Sequence, residues 1–185
     1  MLAPADISTD LQDEFDRIGR KIAEALGLIG IMDVEVILHE NRLKVLEIDA
    51  RLPSQTPTAV FKSTGVNMVK LLGDVFVRNA LPNPLPSGRE KAVIYEHLRV
   101  GPEAIEVSGE HIMAAAGPLQ VLEGFFGADE AVTDFAPGKS CWAATLIFVE
   151  NSRREVQAKR DETIESLKRH LGIGVFRDPG PGDRP

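Results

Sequence analysis

Two short runs of this sequence hold the side chains best placed to do chemistry. Across residues 30–51 (GIMDVEVILHENRLKVLEIDAR), the acids Asp33 and Glu35, then Glu47 and Asp49, alternate with apolar residues, and Arg51 follows. Alternation is the period of a β-strand. The polar run His39-Glu40-Asn41-Arg42, set between Ile31 to Leu38 and Leu43 to Ala50, reads as the turn of a hairpin. Facing residues of an antiparallel pair project to the same side, so matching the apolar faces requires paired residue numbers with an even sum. A turn centred on Asn41 then sets Val36 against Leu46, Val34 against Ile48, Glu35 against Glu47 and Asp33 against Asp49. In this register Lys44, Leu46 and Ile48 share the apolar face, and Leu43 and Val45 lie with the acids.

Like charges opposed on a sheet are destabilising. Such a cluster needs cations, raised pKa values or open water. Carboxylate oxygens are the hard ligands that Mg2+ accepts, commonly beside substrate phosphates. The guanidinium of Arg51 is a fork suited to phosphate or carboxylate. The pattern therefore fits a Mg-nucleotide site with an anion clamp. It equally fits the solvated polar face of an edge hairpin.

The motif E-x-[ND]-x-R, present as Glu47-Ile48-Asp49-Ala50-Arg51 with Glu35 on the partner strand, resembles the metal-binding hairpin of the ATP-grasp ligases. Thr64 to Lys70 (TGVNMVK) resembles the helix-entry segment that follows this site in carboxylase-like members. The string VLEIDARLPSQTPTAV, with the later EHIM and GFFGADEA, is similar to members that join two amino acids through a side-chain amine. The resemblance implies ATP and Mg2+ as cofactors and amino acids as small-molecule substrates. It implies Glu35 and Glu47 as metal and nucleotide ligands, Asp49 as the completing ligand of a second Mg2+, and Arg51 as the catalytic contact to the transferred phosphoryl group. Asp33 has no implied role, and Ser54, Gln55 and Thr56 fall where substrate would pass. The implied reaction is attack of a carboxylate on the γ-phosphate, giving an acyl-phosphate that an amine then displaces. The family also carries an N-terminal substrate domain, a Gly-rich lid and nucleotide-binding lysines, and this sequence has no Gly-x-x-x-x-Gly-Lys. The expectation is a C-terminal portion, either a fragmentary gene product or one subunit of a split enzyme with a separate N-terminal half. Another ATP-grasp amide ligase or carboxylase, or a non-catalytic metal- or partner-binding fragment, fits the same residues.

The elements that must position these residues suggest an α+β fold in two parts. Residues 1–84 would form the C-terminal lobe of an ATP-grasp domain, 88–175 a small β-rich domain, and 176–185 a frayed tail. Leu11, Phe15, Ile18, Ile22 and Leu26 recur at helical spacing, which predicts a helix from Thr9 to Leu26 with a Thr9-x-x-Gln12 capping box and a stop at Gly27. A short helix should start near Thr56-Pro57, and another should run from Asn67 to Asn79. Three prolines within 81–89 mark a linker. Beyond it, Ala92–Val100, Gly109–Ala115, Gly117–Phe125 and Cys141–Glu150 read as strands. Ser152 to Leu171 reads as a closing helix that buries Val156, Ile164, Leu167 and Leu171 and stops at Gly172.

The 185 residues carry 21 basic and 28 acidic side chains, a net charge of −7, and 43% are hydrophobic. That composition excludes disordered, collagen-like and disulfide-scaffold classes. With an acidic balance and no basic run interleaved with aromatics, nucleic acid is not an expected partner. One cysteine, Cys141, allows no internal disulfide and fits a reducing cytoplasm. No apolar run is long enough to span a membrane, and the first residues lack the pattern of a secretory signal. His39, His97, His111 and His170 lack metal-ligand spacing, with His39 reading as a turn residue. Cys141 reads as a buried structural thiol, and Arg153, Arg154, Lys159 and Arg160 as a solvated mixed-charge helix face.

Overall fold

A left-handed glycine ends the first long helix, α1 (Thr9–Leu26), as its sequence predicts: Gly27 has φ 56° and its N–H bonds back into the last turn. The start differs by one residue. Ser8, not Thr9, is the N-cap, and its hydroxyl accepts the N–H of Leu11. The structure, a computed structural model, describes residues 2–80 and 90–178. The expected linker at 81–89 and the expected tail from residue 179 lie outside the described residues.

The chain divides into two units, Pro4–Arg89 and Glu90–Pro185, the second also taking in Met1–Ala3. In the first unit α1 packs on a two-stranded antiparallel sheet, and two short helices follow. The strands are β2 (Asp33–His39) and β3 (Arg42–Asp49), numbered after β1 (Leu2–Ala3). The helices are α2 (Thr56–Thr64), with Pro57 in its first turn, and α3 (Met68–Arg78). Their joint is the TGVNMVK segment. Gly65 ends α2 at φ 78°, and the Asn67 side chain accepts the N–H of Lys70 to start α3.

The described residues of the second unit form a seven-stranded sheet in the order β6-β7-β8-β4-β5-β9, with β1 also on β4. Its strands are β4 (Ala92–Val100), β5 (Ala104–Ser108), β6 (Gln120–Glu123), β7 (Glu130–Thr133), β8 (Trp142–Glu150) and β9 (Val175–Arg177). Helix α4 (Arg153–Leu171) covers one face, capped by Ser152 and ended by Gly172 at φ 68°. Leu98, Val100, Leu146 and Phe148 from the sheet meet Val156, Ile164 and Leu167 from α4 in one buried cluster. Leu171 is only half-buried at its margin.

Several expectations are corrected here. Glu110–Ala115 is a 3-10 helix rather than a strand. The edge of β4 from His97 to Val100 is already paired with β5, so the segment packs across β4 and β8 instead. Of Gly117–Phe125 only Gln120–Glu123 is strand, because Pro118 has no N–H and Gly124 turns the chain at φ 64°. Gly127, at φ 118°, lets this turn approach α4 closely, since an added Cβ would stand 2.8 Å from Thr163 Oγ1. The charged face of α4 is also not simply solvated. Arg160 is buried, donates two 2.9 Å hydrogen bonds to Glu96, and bonds Asp178 at 2.7 Å. Residues 176 to 178 of the expected tail are therefore held, Phe176 and Arg177 in β9 and Asp178 on Arg160.

Candidate functional site

The acid hairpin forms as expected where the acids lie, and differently near its turn. Asp33 pairs with Asp49, Val34 with Ile48, and Glu35 with Glu47, so two pairs of carboxylates oppose each other on one face. The turn is Glu40-Asn41, both in the left-handed region at φ 50° and 58°, and it pairs His39 with Arg42. That two-residue geometry matches the twist of the flanking strands. It places His39 at the end of β2 rather than in the turn. It also makes the paired numbers near the turn sum to 81, which by itself would put the acids on opposite faces.

A bulge between Glu35 and Val36 resolves the conflict. Val36 pairs with Val45, not with Leu46, and the extra residue on β3 restores the even sum at the acid pairs. The bulge corrects the rest of the facing. Leu43 and Val45 join Val34 and Val36 on the apolar face, and Leu46 is the exposed surplus residue. Lys44, opposite Ile37, joins the acid face. Sequence reasoning missed Lys44 because parity alone carries no sign of a bulge. The one available signal was Asn41, a residue that tolerates the left-handed region.

Arg51 lies just past β3 and donates a 2.7 Å hydrogen bond to Asp49, with its own side chain mostly exposed. Glu35 and Glu47 are exposed, and Asp33 and Asp49 are half-buried. Among the described residues no three His, Cys, Asp or Glu side chains are gathered tightly enough to hold a metal ion by themselves. The donor set therefore fits a cation that takes only one or two carboxylates and fills its shell with phosphate oxygens and water, which is how Mg2+ is commonly bound. Ser54 and Gln55 are engaged within the chain.

Cys141, expected to be buried, is exposed just before β8. His97 is buried, with Nδ1 2.8 Å from Thr145 Oγ1, and burial pushes its pKa below the ordinary value against the opposing pull of Glu110. His170 in the last turn of α4 stacks edge-on to Phe126.

The fold alone places the chain in a class. The architecture is that of a C-terminal part of the ATP-grasp ligases. An N5-carboxyaminoimidazole ribonucleotide synthetase from Thermotoga maritima superposes on 90% of this chain and 44% of its own, at a TM-score of 0.50 and 17% identity. No protein-family model matches the chain. The sequence narrows the class: it is 34% identical over 159 residues to a 3-methyl-D-ornithine–L-lysine ligase of Methanosarcina barkeri, covering 85% of this chain and 42% of the ligase. The ligase of the same name from Methanosarcina mazei is 32% identical over 89% of this chain and 43% of its own length. The chain thus spans less than half the length of these relatives and corresponds to a C-terminal part of them.

Proposed function

We propose that this chain carries the metal-phosphate face of an ATP-dependent carboxylate–amine ligase, one that joins 3-methylornithine to the side-chain amine of L-lysine in pyrrolysine biosynthesis. The observation that supports it is the pair of opposed carboxylate pairs on the hairpin, with Arg51 held beside them by Asp49. Phosphoryl transfer asks a protein mainly for positioning and charge neutralisation. Glu35 and Glu47 would hold one Mg2+ against the phosphates of ATP and Asp49 would complete the shell of a second, and when bound they would neutralise the crowded anions. Arg51 presents its exposed fork to the phosphoryl group, and Asp49 fixes where that fork points. A substrate carboxylate oxygen attacks the γ-phosphorus and ADP leaves. The lysine amine then attacks the acyl carbon, phosphate leaves, and the nitrogen loses a proton.

The remaining sequence of the longer relatives would supply the lid and the rest of the nucleotide pocket, as an N-terminal half working in the cytoplasm. The test mixes this chain with the N-terminal half of such a ligase and follows ADP release on adding Mg-ATP, 3-methylornithine and lysine. Release should require both amino acids and both halves. Glu47→Ala should abolish it and leave the circular dichroism spectrum unchanged, because Glu47 is exposed. Near-normal turnover by Glu47→Ala would overturn the site, and release without lysine would point to a different ligation.

A further inference from the structure

The second unit has a groove of about 610 Å³ on the sheet face opposite α4. Its floor is a row of side chains that crosses the sheet. Asp134, just past β7, bonds to the backbone of Ala143. Ala143 pairs with Arg99, Arg99 with Glu106, and Glu106 with Arg177. The 3-10 helix contributes His111, Ile112 and Ala115, Ala116 follows it, and the turn between β4 and β5 contributes Glu103.

The charges in this groove are unequally engaged. Arg177 bonds Glu106. Lys139 bonds Asp134 at 2.6 Å, and the N–H groups of Gly117 and Ala143 donate to the same carboxylate. Arg99 is exposed and has no hydrogen-bond or ion-pair partner among the described residues. Its cross-strand acid, Glu106, is already claimed from the other side. Its neighbour on β8 is Ala143, which brings no charge or hydrogen-bonding side chain to it. One available fork suits one carboxylate. It suits a phosphate dianion poorly, because Glu103 and Glu106 lie in the same groove. Beside it, Ile112, Ala115 and Ala116 offer an apolar wall for a short hydrocarbon.

We propose that this groove binds a short aliphatic monocarboxylate, its carboxylate on Arg99 and its hydrocarbon on the wall of the 3-10 helix. The proposal does not rest on the ligase reading, and its test reads no ligase activity. The chain's single cysteine, Cys141, is exposed and lines the groove. Isovalerate titrated into the whole chain in a calorimeter should give a binding isotherm with a midpoint on the order of 1–10 mM. Uncharged isovaleramide and inorganic phosphate should bind at least about tenfold more weakly. Arg99→Gln should weaken isovalerate by at least about tenfold, and Arg99→Lys should restore part of it.

Alkylation of Cys141 gives a second readout. The iodoacetate-to-iodoacetamide rate ratio should exceed that of free N-acetylcysteine by about tenfold, fall to the free value in Arg99→Gln, and fall when isovalerate is present. Equal binding of isovalerate and isovaleramide would overturn the proposal. So would tighter binding of phosphate, or an Arg99→Gln protein that titrates like the parent.

Discussion

Arg160 is the residue whose loss should cost the second unit most. It is 8% exposed, it meets Glu96 through two parallel 2.9 Å hydrogen bonds, and its guanidinium lies 5.2 Å from the ring of Phe176. Glu96 is itself largely sheltered, its side chain 14% exposed. Removing one member of such a pair abandons the other charge in a poorly solvated place, at a cost of about 3–5 kcal/mol. Arg160→Met should therefore destabilise by about that amount, and Glu96→Gln by less, because Arg160 keeps Asp178 and Asp161 as partners. For a unit of roughly 100 residues, 3 kcal/mol corresponds to a drop of about 12 °C or more in the melting midpoint. The double variant should be no worse than Arg160→Met alone, since the Glu96 charge is then no longer stranded. Trp142 lies in the same buried cluster, so its fluorescence during thermal and urea unfolding reads this unit directly. An Arg160→Met protein that loses less than about 0.5 kcal/mol, or a double variant whose loss is the sum of the singles, would refute the argument.

Other expectations follow from the same structure. Burial raises the pKa of Asp134, but Lys139 and two backbone N–H groups outweigh it and hold the carboxyl below its ordinary 3.8. The stability this adds is complete above the ordinary value and is lost as pH falls through the folded one, so Asp134→Asn should flatten the acid limb of urea stability measured from pH 5 to 2. His97 is held below its ordinary 6.5, so the unfolded chain takes up its proton first and stability should decline as pH drops below about 6.5; His97→Gln should remove that component. Gly127→Ala should destabilise by about 1–3 kcal/mol in the same urea assay, because the new methyl meets Thr163 and the backbone sits at positive φ. Replacing Glu40-Asn41 by Asn-Gly should raise hairpin stability by about 1 kcal/mol, read as slower amide exchange in β2 and β3. In the two-half ligase assay, Arg51→Ala should reduce turnover by more than it reduces nucleotide affinity; the reverse pattern would move Arg51 away from the transferred phosphate.

The sequence alone determined whatever depends on local chemistry. Apolar spacing and left-handed glycines set α1 and α4, with stops at Gly27 and Gly172, and the full length of β4 was legible in its apolar run. The opposed acids were legible too, because alternation and the need to match apolar faces admit few registers. What the tertiary structure decided was everything that depends on distant partners. The bulge that moves Lys44 to the acid face reconciles a two-residue turn with the register of the acids, two constraints acting at opposite ends of the hairpin. The short strands β5, β7 and β9 are held by their neighbours rather than by their own pattern. Glu110–Ala115 became a 3-10 helix because β5 had taken the edge it would have needed. Arg160 reads as a surface cation in sequence, and only the arrival of Glu96 from β4 and Asp178 from beyond β9 makes its burial possible, since a charge leaves water only where others are waiting to meet it.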